Sequence, residues 1–492
     1  MKKPKPIEQF EKPSYPVKIL QFGEGNFLRA FADLMVDMAN EAGVFEGCIA
    51  IVKPRPGSTE LYRMQNSNYT VILRGDAEDA SQNVCRVITS VRQTIDCYTE
   101  YQDFIAFAEL DSLRFIISNT TEAGIVYDGS DSFDACPPQT FPAKLTKLLF
   151  TRYRHFDGSP YKGLIILPTE LIDDNGQTLL ECIRKYAALW DLDDGFLLWL
   201  DEACTFCDTL VNRIVTGFPK EEADKIFTQL GYTDQLLVTG DPHGQWIIRS
   251  DCPEFVKKEF PLHLAGMAVE FTADLRPYKE RKVRVLNGAH TVMALASYLV
   301  GLDTVGECMA DCDIHAYMEY AVFDEIVPYV PFQTEDITAY ARTNLAYYKN
   351  PFIRHNLLSI ALNSISKWRA RLLPSFRDYV AENRRLPDFL TFSFAALLAF
   401  YTGDRIEDGI LIGNLLREHP VKDDQTVLVW FLEHSTLETE EFVRQSAANR
   451  NFWGEDLSLY DGFVEKATGY LEKIRAYGIR GLIQSLLADR RS

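Results

Sequence analysis

Apolar and polar positions change their rhythm along this chain near residue 276. Before it, short apolar runs alternate with stretches of helical spacing; beyond it, nearly every segment repeats at three and four residues. After a polar, Pro-rich lead-in (1–16), residues 17–22 predict a strand. Gly23-Glu24-Gly25-Asn26 then predicts a turn, and Phe27, Leu28, Phe31, Leu34, Met35 and Met38 form the inner face of a helix. Residues 48–52 read as a second apolar strand, ended by Lys53-Pro54. Further strands are predicted at 113–118, 163–168 and 236–239, and helices at 142–156, 177–190 and 205–216. In the second half, helices are predicted at 287–300, 313–325, 335–347, 351–371, 388–402, 405–417, 424–434, 438–447, 460–474 and 477–489. Strands alternating with helices predict a mostly parallel, doubly wound sheet. The expected architecture is an α/β Rossmann-type domain over residues 1–275 and an all-α domain over 276–492.

Composition narrows the function more than the fold. A chain of 492 residues predicts two or three domains, since single cores stop growing near roughly 250–300 residues. A net charge of −19 argues against a general nucleic-acid binder or a partner of anionic membranes, yet leaves room for a local basic pocket and an anionic small substrate. The start, Met1-Lys-Lys-Pro-Lys-Pro6, has no apolar run behind it and does not read as a signal peptide. The longest apolar stretch, 392–401, is too short to span a bilayer, so a cytoplasmic location is expected. Ten cysteines are scattered through the chain. Cys204 with Cys207 and Cys308 with Cys312 could be paired on paper into a four-thiolate zinc site. Both pairs lie in apolar, helix-predicted sequence rather than Gly-rich knuckles, so buried free thiols and no metal are expected. Monomer and homodimer both stay open.

Two stretches carry candidate chemistry. Gly23 and Gly25 fit the first two positions of a GxGxxG dinucleotide turn, while Leu28 occupies the third. No acid ends the second strand to take ribose hydroxyls; Lys53 and Arg55 stand there, which leaves NAD and NADP both open. Strand 113–118 ends in Asn119-Thr120-Thr121-Glu122, small polar residues where an open α/β sheet places its ligand crevice. The second stretch is Lys282-x4-Asn287-x2-His290. Read as one helix, the three side chains fall within an arc of about 140° at roughly 100° per residue. Asn287 would also serve as an N-cap. Apolar surroundings, with Arg281 and Arg284 nearby, would draw the Lys282 pKa toward neutrality and make it a usable acid or base on a hydroxyl/ketone pair. The Asn287 amide could donate to a carbonyl oxygen gaining charge, and His290 could orient either group or bind a hydroxyl.

Several stretches together resemble one family: residues 21–31 (QFGEGNFLRAF), 118–125 (SNTTEAGI), 209–215 (TLVNRIV), Lys282-x4-Asn287-x2-His290, Asn350-Pro-x-Ile353-x-His355, and Lys367-x3-Arg371-x2-Pro374. The chain is similar, over nearly its whole length, to the mannitol dehydrogenase family of long-chain, metal-independent polyol dehydrogenases, most of all to members that reduce keto-hexuronates. The resemblance implies a Rossmann-type domain, a helical domain, and hydride transfer between a nicotinamide cofactor and a keto-sugar or keto-sugar acid. It makes Lys282 the general acid/base and Asn287 the carbonyl polariser, with His290 contacting substrate or holding Lys282. Gly23, Gly25 and Asn26 would line the cofactor pyrophosphate, with Phe27 also counted among the cofactor-binding residues and Asn119 nearer the nicotinamide. Where many members carry Asp-Asn, this chain has Thr169-Glu170, so Glu170 and Asn175 become candidates for substrate hydroxyls or a second oxyanion donor. Asn212 stands where the family usually has Asp. A uronate carboxylate needs a cation, and Arg354, Lys367 and Arg371, together with His355, are the candidates. The expected reaction is NADH-dependent reduction of a hexuronate, D-tagaturonate to D-altronate, in hexuronate catabolism. The rivals are the fructuronate, mannitol and arabinitol activities of the same family, a dinucleotide sensor without catalysis, and a zinc-bearing structural protein.

Overall fold

The strand Val17–Phe22 (β1) lies at the middle of a six-stranded sheet because its neighbours on both sides are apolar enough to be buried on both faces. The others are Cys48–Lys53 (β2), Val91–Asp96 (β3), Phe115–Ser118 (β4), Ile165–Pro168 (β5) and Thr205–Phe206 (β6). Every pairing is parallel, and the order is β3-β2-β1-β4-β5-β6. That is the doubly wound order of a Rossmann sheet, in which the chain reverses its winding between β1 and β4. The computed structural model describes residues 6–75, 83–332, 334–352 and 354–491. The start of the chain through residue 5, and Ile353 of the Asn350–His355 motif, lie outside them.

The chain divides into two compact units, Met1–Leu275 and Arg276–Ser492. In the first, side chains alternating along the strands feed two separate cores, one on each face of the sheet. Ile19, Ile49, Phe115 and Ile165 point to one; Leu20, Ala50, Ile116 and Ile166 point to the other. Two smaller sheets accompany it. Val215–Gly217, Val238–Gly240, Tyr69–Leu73 and Val84–Ile88 form one, and Val269–Thr272, Gln245–Arg249 and Asp208–Asn212 the other. The strands at 69–73, 84–88 and 91–96 go beyond the sequence reading.

The helix expected at 205–216 is instead three strands, Thr205–Phe206, Asp208–Asn212 and Val215–Gly217. Cys204 and Cys207 therefore flank a strand, not a helix face. Thr and Val are β-branched and suit a pleated surface, and Asp208–Asn212 finds an antiparallel partner in Gln245–Arg249, which local spacing could not reveal.

In the second unit the helix Asp388–Tyr401 is buried from Phe389 to its end. Its N-terminus is satisfied from inside: Glu325 accepts from Phe389 N (3.0 Å) and Leu390 N (2.7 Å). The helices Gly288–Val300, Cys312–Glu325 and Phe463–Arg491 pack around it. The last merges the two helices expected at 460–474 and 477–489, with a break at Gly478 (φ 77°, ψ 169°). Two expectations fail here. The segment 405–417 is no helix but part of a three-stranded antiparallel sheet, Gly403–Glu407, Ile410–Gly413 and His419–Val421. Its turn, Asp408-Gly409, has both φ values positive (49° and 76°), the signature of a tight hairpin, so the unit is helical with a small sheet rather than all-α. The helix expected at 351–371 is broken into Leu357–Ile360 and Ser364–Arg371, with Asn363 in the left-handed region (φ 54°), and His355 lies in the extended approach to it.

Candidate active site

In the first unit the crevice begins where β1 and β4 end side by side. Gly23 leaves β1 with φ 121°, and a Cβ there would lie 2.8 Å from the Asn119 carbonyl oxygen. Glycine is thus required by the fold itself. A Cβ on Gly25 would meet no atom within 4 Å, so the space ahead of the turn is open. Helical structure starts at Asn26 directly behind it and continues to Glu41 with a π turn at Arg29–Asp33. An open glycine turn at a helix N-terminus suits a dinucleotide pyrophosphate. Gly25 and Asn26 are exposed, and Asn26 Oδ1 accepts from Arg29 (2.6 Å). Phe27 stacks on Phe31 (4.8 Å between centroids), which places it on the packing side of the turn. Asn119 is held to Thr169, its Nδ2 donating to the main-chain oxygen (3.1 Å) and Oγ1 (3.0 Å).

Under the turn lies a polar cluster with no counterpart in the sequence reading. Gln21 Nε2 donates to Gly23 O (3.0 Å) and to Asp33 (3.4 Å), and Tyr69 donates to Asp33 (2.5 Å). Burial raises the Asp33 pKa to about 7, against the opposing pull of Tyr69 and Gln21.

Glu170 and Asn175 do not occupy the substrate roles expected of them. Glu170 is buried and accepts from Ser118 Oγ (2.9 Å), Thr120 N (2.8 Å) and Thr120 Oγ1 (2.9 Å), bracing the end of β4. Asn175 is buried as well. Its Nδ2 is shared among the carbonyls of Pro168 (3.2 Å), Glu170 (3.0 Å) and Thr209 (3.1 Å), and its Oδ1 accepts from Thr209 N (2.8 Å). Both groups are thus engaged in holding the ends of neighbouring strands together. Asn212 ends the strand 208–212, opposite Gln245.

In the second unit Lys282 opens a π-helical turn, Lys282–Asn287, inside a continuous helical run from Arg276 to Val300. Asn287 is therefore an interior residue (φ −75°, ψ −31°), not an N-cap. The turn matters for chemistry. Its i→i+5 bonding brings Asn287 closer to the face of Lys282 than the roughly 140° an α-helix would set between them. Burial lowers the Lys282 pKa. The two arginines expected to help face elsewhere. Arg281 is boxed by the rings of Tyr278, Phe332 and Tyr340 at 5.2, 5.0 and 4.2 Å. Arg284 is bound to Ser375 (3.0 Å) and Asp378 (2.8 Å). Among the described residues the Asn287 amide has no hydrogen-bond partner, as a group reserved for a ligand oxygen would require.

His290 completes the set, one helical turn on. Its ring lies on that of Tyr348 (4.0 Å between centroids) and meets His355 edge-on (5.0 Å). Tyr348 Oη sits 2.5 Å from the Leu286 carbonyl and 2.8 Å from His290 Nδ1. A carbonyl can only accept, so the single phenolic proton points to Leu286, and Nδ1–H must donate to the phenolic oxygen. Burial, then His355 and Arg371, press the His290 pKa down to about 3, so the ring is neutral and its Nε2 is a bare acceptor. Tyr348 carried no signal in the sequence.

Of the four carboxylate candidates, three gather here. Burial and then Lys367 lower the His355 pKa, and burial followed by Arg371 lowers that of Lys367. Lys367 Nζ donates to Ile360 O (2.8 Å), and Arg371 Nη1 donates to Thr291 Oγ1 (3.1 Å), next to His290. Arg354 is exposed and is not among the groups that act on these. Among the described residues, no three His, Cys, Asp or Glu side chains are grouped to hold a metal ion.

A Rossmann sheet with an open glycine turn, and a lysine, asparagine and neutral histidine on one helix, define a dehydrogenase of the kind that works on hydroxyl/ketone pairs. Comparison with known proteins agrees. Residues 17–263 match the mannitol dehydrogenase Rossmann domain and residues 274–475 the mannitol dehydrogenase C-terminal domain. The chain is 40% identical to the altronate oxidoreductase of Yersinia pestis over 484 residues, 96% of this chain and 98% of that one. It is also 40% identical to that of Klebsiella pneumoniae (strain 342) over 490 residues, 97% and 98% of the two chains. In fold it resembles the Pseudomonas fluorescens mannitol 2-dehydrogenase ternary complex with NAD and D-mannitol (TM-score 0.66, 19% identity, 97% and 96% of the two chains). It likewise resembles D-sorbitol dehydrogenase in substrate-free form (TM-score 0.73, 18% identity, 96% and 97%). This chain belongs to the mannitol dehydrogenase family and is an oxidoreductase acting on CH–OH groups.

Proposed function

We propose that this protein reduces D-tagaturonate to D-altronate with NADH. The observation that carries the reading is the gathering of His355, Lys367 and Arg371 beside His290, one helical turn beyond Asn287 on the helix that Lys282 shares. The two basic side chains among them, Lys367 and Arg371, suit a substrate with a carboxylate, which a neutral ketose lacks. The name of the 40% identical relatives, altronate oxidoreductase, supports the same substrate class.

A bound nicotinamide dinucleotide would supply the hydride, held at Gly23, Gly25 and Asn26 with Asn119 beside them. The residues of this chain do the rest. Lys282, as ammonium, gives its proton to the ketone oxygen as that oxygen becomes a hydroxyl; a lowered pKa makes the transfer, and its reversal in alcohol oxidation, easier near neutral pH. Asn287 donates from its amide to the same oxygen while negative charge builds. His290 Nε2 accepts from a substrate hydroxyl or from Lys282, and Arg371 with Lys367 holds the carboxylate.

The test is NADH oxidation by purified protein with D-tagaturonate, D-fructuronate and D-fructose side by side. The proposal expects tagaturonate to have the highest kcat/KM, with fructose far behind. Preference for fructuronate would keep the uronate pocket and discard the epimer, and preference for fructose would overturn the carboxylate role of Lys367 and Arg371.

A further inference from the structure

The end of β2 poses a question about the cofactor. In a Rossmann sheet the residue closing the second strand reads the adenosine ribose: an acid there bonds the 2′-hydroxyl of NAD, while a basic residue receives the 2′-phosphate of NADP. Here that residue is Lys53, with exposed Arg55 two positions on. By position alone NADP is left open beside NAD.

The structure shows what changes this. Lys53 is ion-paired with Glu24, the middle residue of the glycine turn, and the two side chains are only 17% and 25% exposed. Neither partner is loose. The Glu24 main-chain oxygen accepts from Tyr62 Oη (2.8 Å). The Lys53 stem lies against Gly57, where a Cβ would come within 2.5 Å of Cε, and Gly57 N donates to Asp96 (3.4 Å), which closes the neighbouring strand opposite Lys53. Thus the ammonium at the ribose position is already neutralised, and the carboxylate that neutralises it comes from the turn itself.

We propose that Glu24 is the cofactor-selecting residue of this protein: its carboxylate stands in for the missing strand-end acid, occupying Lys53 and favouring the 2′-hydroxyl of NAD over the 2′-phosphate of NADP. The proposal rests on the dinucleotide reading of the glycine turn. A 2′-phosphate would meet an anion that is itself hydrogen-bonded to the cation it needs, and would have to break that pair to bind. A 2′-hydroxyl can donate to Glu24 without disturbing it.

The experiment is isothermal titration calorimetry of the full chain with NADH and with NADPH, for the wild type, Glu24→Gln and Lys53→Gln. The wild type is expected to bind NADH more tightly. Glu24→Gln removes the anion and frees Lys53, so the ratio of NADPH to NADH affinity should rise by at least about tenfold, the scale of one hydrogen bond to a charged group. Lys53→Gln leaves Glu24 without its cation and should move the ratio the other way. A ratio within about twofold of wild type in both variants overturns the proposal while leaving dinucleotide binding intact. A wild type that binds neither nucleotide overturns the dinucleotide reading and this proposal with it.

Discussion

Lys282 and His290 show how one helix gives two bases opposite tasks. Both are pushed toward the neutral form by burial, but from different starting points: the lysine comes down from 10.5 toward the working range, while the histidine falls to about 3 and leaves it. Under the proposed mechanism Lys282 is therefore the one of the two given the proton to carry. Lys282→Ala should lower kcat by roughly 10²–10⁴, the usual worth of a general acid/base, while NADH affinity measured by fluorescence titration stays near wild type. Near-normal turnover in that variant would remove Lys282 from the chemistry. His290 should remain neutral with its proton on Nδ1 from pH 5 to 9. Imidazole ¹⁵N spectra of histidine-labelled protein check this; titration near 6.5, or a proton on Nε2, would contradict the role given to Tyr348. The Lys282-x4-Asn287-x2-His290 spacing was legible in the chain because these residues are close in sequence. Tyr348 was not, because its hydroxyl reaches His290 across 58 residues of chain.

At the scale of elements, π turns recur at both sites. One, Lys282–Asn287, runs from the proposed proton carrier to the amide; the other, Arg29–Asp33, lies in the helix behind the glycine turn. The second carries Asp33 inward under Gly23, with a testable cost. Its folded pKa, about 7, lies above the ordinary 3.8, so the folded protein holds an extra proton between about pH 4 and pH 7 and loses stability as pH rises through that window. Asp33→Asn should abolish that slope. Relative to wild type, thermal melts of the variant should improve from pH 5 to pH 8, by up to roughly 3 kcal/mol in stability. A difference independent of pH would show that Asp33 does not change its protonation there. Elements were misread where helix and strand patterns overlap. At 205–216 and 405–417 β-branched and apolar residues satisfy either period over a few positions, and the deciding signals were a strand partner at 245–249 and the Asp408-Gly409 turn.

For the whole molecule, the alternation of strands and helices up to residue 275 and the helical spacing beyond it were enough to predict the two-part architecture. The structure adds the strand order, with winding reversed between β1 and β4, and so identifies the ends of these two strands as the place for a ligand. No helix among the described residues is long and apolar enough to cross a membrane. The charge of −19 and the cationic cluster of Lys367 and Arg371 coexist because a buried local field is set by near neighbours, while net charge is spread over the surface.

The sequence by itself determined the glycine turn, the lysine, asparagine and histidine at their helical spacing, and the switch from α/β to helical texture. All of these are local patterns, written within a few residues or in a repeated period. Tertiary structure alone decided which polar groups are spent and which remain available. Glu170 and Asn175 looked like ligands and are found buried, hydrogen-bonded to the ends of neighbouring strands. Arg281 and Arg284 looked like neighbours of Lys282 and were turned to aromatic rings and to Asp378. Lys53 left the choice between NAD and NADP open and was found paired with Glu24, 29 residues earlier in the chain. The physical reason is common to all of them: a hydrogen bond or ion pair is satisfied by whichever partner folding brings within reach, and that partner is often far away in sequence.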